Sequence, residues 1–163
     1  MAAWAGGAVR LALAPPVEFH AGIGLRIVQS NIPQREKWAR RYRARNLKQF
    51  VDLVDNPYNG FNFCIGTASE GLEDPGTEIY EIVRYFGQRK KIFNIHFRNI
   101  RGNLHHFQEV WPDEGDVDML QALRTLKEVG YRYMIMPDHV PGISGSEPLQ
   151  VGFAYTYGYI RAL

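Results

Sequence analysis

Short apolar runs alternate with amphipathic helical patterns from residue 61 to the end of the chain, and this alternation constrains the fold more than any other feature. The apolar runs lie at 61–65, 92–97 and 133–136. Between the first two, Thr77 is placed to cap a helix whose Ile79, Ile82, Val83 and Phe86 share one face, with Gly87 at its end. Between the second and third, 116–129 reads as a helix with Met119, Leu123 and Leu126 inward and Gly130 closing it. A last helical stretch begins at about Phe153. Stretches 66–76 and about fifteen residues after 97 read as loops. The order strand, helix, strand, helix, strand, helix predicts right-handed crossovers and a parallel α/β sheet. Ligands of such sheets bind beyond the carboxyl ends of the strands.

Upstream the pattern is weaker. Residues 35–54 read as a helix, with Trp38, Tyr42, Leu47, Phe50 and Val54 recurring at helical spacing, stopped by the Asn56-Pro57-Tyr58-Asn59-Gly60 turn. Residues 1–34 form a poorly defined segment without firm periodicity, in which 25–28 is a strand candidate. Its first sixteen residues lack a basic start and a cleavage site, so a poorly ordered or non-native start is expected rather than a signal peptide. A length of 163 residues suits one core. Nineteen basic against seventeen acidic residues is too balanced to imply a nucleic-acid or membrane partner. The basic run at 35–45 is expected to be a solvated helix face rather than a phosphate site. One cysteine excludes an intrachain disulfide and points to a reducing, cytoplasmic setting.

Three side chains of metal-ligand type stand at or just past the three strand ends: Cys64 in FNFC, His96 in NIHFRN and Asp138 in MPDH. Adjacent parallel strands bring equivalent positions within about 5 Å. Sulfur, imidazole and carboxylate donors therefore converge, a set open to manganese, ferrous iron or zinc. Singly, each residue is more simply a buried thiol or a satisfied polar group; their repetition in successive units favours a site. His139 follows Asp138 and is read either as a proton-moving group or as a loop histidine bonded to backbone. Arg98 shares the strand face of His96 and is read as meeting a substrate carboxylate or as a rim salt bridge. The pair His105 and His106 is expected to face solvent.

At these residues the sequence resembles the mannonate dehydratase family. The resemblance rests on NPYNGFNFCIGT (56–67), IFNIHFRNIRG (92–102), FQEVWPDEGDVDM (107–119) and MPDHVP (136–141), in order and with fitting spacing. It implies that 35–163 is the C-terminal half of a (β/α)₈ TIM barrel. It further implies a hydro-lyase that dehydrates D-mannonate to 2-dehydro-3-deoxy-D-gluconate in hexuronate breakdown, with Mn2+ or Fe2+. By the same resemblance Cys64, His96 and Asp138 are metal ligands and His139 is a catalytic acid or base. Arg98 and Asn99 occupy substrate-binding positions, and Glu109 and Asp116 match acidic loop positions.

The chain departs from the family pattern in three respects. An eight-stranded barrel takes about 250 residues, so a first half is missing. The family's further ligand histidine, in a His-Pro-Asp stretch, has no counterpart, and His20 does not match it. A catalytic-candidate tyrosine is replaced by Phe153, with Tyr155 or Tyr157 as the nearest substitutes. A related sugar-acid lyase, a sugar isomerase, and a non-catalytic half-barrel that pairs with a copy of itself or with an N-terminal half are the competing expectations.

Overall fold

The computed structural model describes residues 9–11, 17–19, 44–54, 56–103 and 106–163. The strand candidate at 25–28, His20, His105 and the side chains of the basic run lie outside the described residues. Within 1–34, β1 (Val9–Leu11) and β2 (Val17–Phe19) form an antiparallel pair. Helix α1 (Ala44–Asp52) is the described part of the helix expected at 35–54. The turn predicted after it does the stopping: Asn59 Nδ2 donates to the carbonyls of Val51 and Val54, both at 3.0 Å, and takes up groups the helix end leaves open.

The alternating pattern forms a mixed α/β arrangement around a parallel sheet. Strands β3 (Phe61–Cys64), β4 (Ile92–His96) and β7 (Ile135–Met136) make one three-stranded sheet in the order β3-β4-β7. Both pairings are parallel, and the register sets Cys64 beside His96 and His96 beside Met136. The third strand is shorter than the expected 133–136: Tyr133 and Met134 stand 62% and 64% exposed, and Met134 joins β4 only through its carbonyl, which accepts from the Ile95 amide at 3.1 Å.

Helix α3 (Pro75–Gln88) follows β3 and buries the predicted face, Ile79, Ile82, Val83 and Phe86. Thr77 is not its cap. Pro75 opens the helix after Asp74, and Thr77 Oγ1 donates instead to Asp74 Oδ2 at 2.6 Å. Phe86 meets Phe61 edge-on at 4.9 Å, which ties the helix to the sheet. Helix α4 (Met119–Glu128) starts later than expected, since Asp118 and not Asp116 caps it, accepting from the Gln121 amide at 2.9 Å. Helix α5 (Pro148–Ala162) starts earlier than Phe153, at a proline suited to a first turn.

Two expected loops are ordered. Residues Ile65–Glu70 form a short helix, α2, directly on the end of β3. Six residues are too few to show a helical period. After β4, the expected fifteen-residue loop folds into an antiparallel hairpin of β5 (Asn99–Asn103) and β6 (His106–Val110). Its polar Arg, Asn, Gln and Glu residues mask the strand pattern, and Gly102, paired with Phe107 inside β5, takes φ +91° where a Cβ would run into the His106 carbonyl. The hairpin folds Glu109 back beside Arg98.

Gly87 sets a close approach between α3 and the end of α4. A Cβ at Gly87 would run into both the Cβ and a methyl of Val129. Gly87→Ala is therefore expected to destabilise the chain by about 1–3 kcal/mol through overpacking. Urea unfolding checks this; an unchanged midpoint would show that the two helices separate freely.

Candidate metal centre

The carboxyl end of the sheet gathers Cys64, His96 and Asp138. Cys64 ends β3 and His96 ends β4 in paired register, while Asp138 follows β7 by two residues. One ligand atom from each lies within 4.8 Å of the others. The convergence point is Asp138 Oδ2: His96 Nδ1 lies 3.2 Å from it and Cys64 Sγ donates to it at 3.8 Å. Cys64 is buried and also caps α2, its sulfur accepting from the Thr67 amide at 3.4 Å. Both neighbours thus turn toward one carboxylate oxygen, as three donors do around a shared cation. Sulfur, nitrogen and oxygen donors in this number suit a divalent transition ion and leave coordination positions open, so the residues present fit such an ion.

A second row of charge stands behind these three residues. Arg98 is 1% exposed. It grips Glu109 with two bonds, Nε to Oε1 at 2.7 Å and Nη2 to Oε2 at 2.8 Å. Its Nη1 donates to Glu70 Oε1 at 2.8 Å and to Thr67 Oγ1 at 3.2 Å. Gly66 lets α2 approach, because a Cβ there would come within 2.9 Å of Arg98 Cγ. Of the two roles open to Arg98, its bonds within the chain realise the salt bridge, and on both sides. Glu109 Oε2 in turn lies 3.5 Å from His139 Nδ1, and His139 Nε2 lies 3.8 Å from Asp138 Oδ2. The two rows therefore meet at His139, whose side chain is 41% exposed.

Asn99 is buried and serves the chain. Its Nδ2 donates to the carbonyls of Pro112 and Val117, both at 2.8 Å, and its Oδ1 accepts from the amides of Ile100 and Val117. It clamps the 112–117 loop. Asp116 belongs to the same clamp, accepting from the Gly102 amide at 2.6 Å. The Tyr155 hydroxyl donates to the Asp113 carboxylate at 3.0 Å. Tyr157 is exposed, and neither tyrosine bonds to the three ligands. Expected solvent-facing His106 is exposed.

Sequence reasoning missed Asn62, Glu70 and Asn94, and left Glu109 without a role. Glu70 is buried against Arg98. Asn62 and Asn94 carry a readable signal: each precedes a residue of the cluster by two, so Asn-x-Cys and Asn-x-His repeat on one face of adjacent strands.

Charge sets the protonation of the site. Burial alone would lower His96, but hydrogen bonds with Asp138 and Cys64 outweigh it and lift the imidazole to about 9. The bond to Glu109 raises His139 above its usual range. Burial works against the carboxylates of Asp138 and Glu109, yet their bonds to the histidines and the nearby Arg98 charge hold both below their ordinary values. Burial wins at Glu70 and raises it despite Arg98.

These shifts fix a pH dependence for the metal-free chain. Asp138 and Glu109 are depressed, so their stabilisation is present above the ordinary carboxylate values of 3.8 and 4.5 and is lost as pH falls through the lower folded values. His96 is raised, so its stabilisation is complete below 6.5 and is lost as pH rises through about 9. His139 acts in the same direction, and so does the raised Glu70. Unfolding free energy in chelator is expected to fall steadily between pH 6.5 and about 9, and His96→Gln to flatten that limb. A flat profile in the parent chain would contradict the coupling of His96 to Asp138.

Known proteins share this sequence and fold. The model of the D-mannonate dehydratase (UxuA) family matches residues 41–163. Mannonate dehydratase of Thermotoga petrophila is 32% identical over 97 residues, covering 58% of this chain and 26% of that protein. The Enterococcus faecalis mannonate dehydratase is 36% identical over 97 residues, with the same coverage of 58% and 26%. That of Streptococcus equi subsp. zooepidemicus is 29% identical over 119 residues, or 72% of this chain and 31% of its own. The chain spans about a quarter to a third of the length of these relatives. The crystal structure of mannonate dehydratase from Streptococcus suis serotype 2 superposes with a TM-score of 0.58 at 24% identity, over 74% of this chain and 37% of the other. That likeness concerns the fold. Membership follows from the family match itself, which runs unbroken from α1 through all three parallel strands to the last helix: the chain belongs to the D-mannonate dehydratase (UxuA) family.

Proposed function

We propose that this chain, from about residue 35, is the C-terminal part of a (β/α)₈ barrel that dehydrates D-mannonate to 2-dehydro-3-deoxy-D-gluconate with Mn2+ or Fe2+. The observation that carries the reading is the convergence of Cys64, His96 and Asp138 within 4.8 Å at the carboxyl end of the parallel sheet. Parallel barrels build their active sites at that end.

Cys64 Sγ, a His96 ring nitrogen and an Asp138 oxygen would hold the ion. When bound, it supplies Lewis-acid stabilisation for negative charge developing on oxygens of the sugar acid. The rest falls to the chain. A proton must leave the carbon beside the substrate carboxylate, and the neighbouring hydroxyl must leave as water. His139 is placed to carry a proton in one of these steps. Glu109 faces its Nδ1, its Nε2 stands 3.8 Å from Asp138 Oδ2 beside the proposed ion, and its side chain is open to solvent. Glu109 is held by the Arg98 fork, so Arg98 and Glu70 keep the acid-base residue oriented. Asn99 acts at one remove, by fixing the loop that leads into α4.

Incubating the full-length parent protein with D-mannonate and manganese or ferrous iron tests this reading. A 2-keto product that disappears in His139→Asn is expected; its absence in the parent with either ion sinks the substrate assignment.

A second reading concerns this chain alone. Among the described residues β3 and β7 are the outer strands of the sheet, with one neighbour each. Tyr133, Met134, Leu149, Val151 and Tyr157 are half or more exposed, apart from Tyr157 at 49%. Open edges and exposed apolar side chains favour association. The chain is expected to dimerise or to bind a complementary barrel half. Light scattering after size exclusion checks this, and a stable monomer would contradict it. No described helix is long and apolar enough to cross a membrane.

A further inference from the structure

The three ligands rest on a second tier of polar side chains that the chemistry above leaves unused. Strand register pairs Asn62 with Asn94 and Cys64 with His96, so two asparagines form a layer beneath the ligands. Asn62 Nδ2 lies 2.9 Å from His96 Nε2. Asn94 Nδ2 donates to Asn62 Oδ1 at 2.9 Å and to Met136 Sδ at 3.3 Å. Asn94 Oδ1 is buried and has no hydrogen-bond partner.

We propose that Asn62 is a positioning residue of the metal centre: its amide holds Nε2 of His96, so Nδ1 is the atom offered to the ion, and Asn94 completes the support. The inference rests on the reading of Cys64, His96 and Asp138 as a metal centre and specifies how its histidine is presented. His96 Nδ1 is the ring nitrogen 3.2 Å from Asp138 Oδ2, the oxygen that Cys64 also faces, whereas Nε2 points to Asn62.

A neutral imidazole carries one N–H. With its Nδ1 lone pair given to a metal, that hydrogen sits on Nε2 and needs an acceptor. Asn62 meets the need by turning its amide to present Oδ1. Its Nδ2 then needs an acceptor of its own. Asn94 Oδ1, buried and unpartnered, is the spare one; turning it toward Asn62 exchanges the bond that Asn94 Nδ2 makes to Asn62 Oδ1 for its reverse and gives up the weak bond to the Met136 sulfur. Without the ion, and with His96 neutral, the same residues bond in the opposite sense: Nδ1–H donates to Asp138 while Nε2 accepts from Asn62. An amide suits both states because one rotation exchanges donor for acceptor. Leucine at 62 offers neither, and aspartate offers a permanent acceptor.

Zinc provides a diamagnetic probe of the chain as it stands. By calorimetric titration, Asn62→Leu is expected to bind zinc about 10- to 100-fold more weakly than the parent. Asn62→Asp is expected to bind at least as tightly as the parent. In the zinc-loaded parent chain, imidazole ¹⁵N shifts are expected to show His96 coordinated through Nδ1 with its proton on Nε2. Equal zinc affinity in a folded Asn62→Leu, or coordination through Nε2, overturns the proposal. The ¹⁵N measurement decides alone if Asn62→Leu fails to fold. A parent chain that binds no zinc overturns the metal centre itself, which separates that failure from failure of the Asn62 role.

Discussion

Replacing Arg98 with leucine is expected to lower the unfolding free energy by about 3–5 kcal/mol, because it leaves two carboxylates without their shared cation. Arg98 is 1% exposed, and Glu70 and Glu109 are 6% and 24% exposed, so water screens little of the loss. The substitution also removes the fork that orients Glu109 and hence the contact to His139. Two consequences separate this from simple loss of packing. Exchanging the whole group, Arg98→Met with Glu70→Gln and Glu109→Gln, is expected to recover most of the loss, since no unpaired charge is then left buried. Lowering the pH is expected to narrow the deficit of Arg98→Leu, because protonation neutralises the stranded carboxylates. Urea unfolding of the three chains tests both. A loss below about 1 kcal/mol in Arg98→Leu would be that of an exposed pair and would contradict this burial.

The second large effect belongs to the ligands. A divalent ion at about one hundred times its Kd is expected to add about 2.7 kcal/mol to the stability of the parent chain. Cys64→Ala and Asp138→Ala are each expected to lose essentially all of that increment and to weaken affinity by more than about 100-fold, beyond what an outer residue costs. Manganese and ferrous iron are the ions of choice. Thermal unfolding with and without each ion reads the result. An equal rise in Tm in the parent and in both variants would place the ion elsewhere on the chain.

The sheet and its functional end were legible in the sequence because they are written in short-range pattern. Apolar runs of four or five residues, helices with one apolar face, and glycines at helix ends gave β3, α3, β4 and α4 with only end shifts. The cluster of Cys64, His96 and Asp138 was legible because each stands at or just past a strand end in successive units. The β5–β6 hairpin was hidden because Arg101, Gln108 and Glu109 break the apolar alternation that marks a strand. The partners of Arg98, for which a salt bridge was one of two readings, and the service of Asn99 to its own chain were hidden for a different reason. Nothing local in the sequence says that Glu70, 28 residues before Arg98, sits across from it, or that Asn99 bonds to carbonyls 13 and 18 residues on. The asparagine tier was written at the period of a strand, yet it is visible only once the register is known.

Cys64, His96 and Asp138 are most directly tested as one metal centre by a cobalt(II) titration of this chain followed by absorption. Cobalt reports sulfur coordination through an intense thiolate charge-transfer band. One ion per chain, with that band present in the parent, absent in Cys64→Ala and strongly weakened in His96→Ala and Asp138→Ala, is the predicted result. No band in the parent, or a band unchanged by removal of His96 and Asp138, would contradict a shared metal centre at these strand ends.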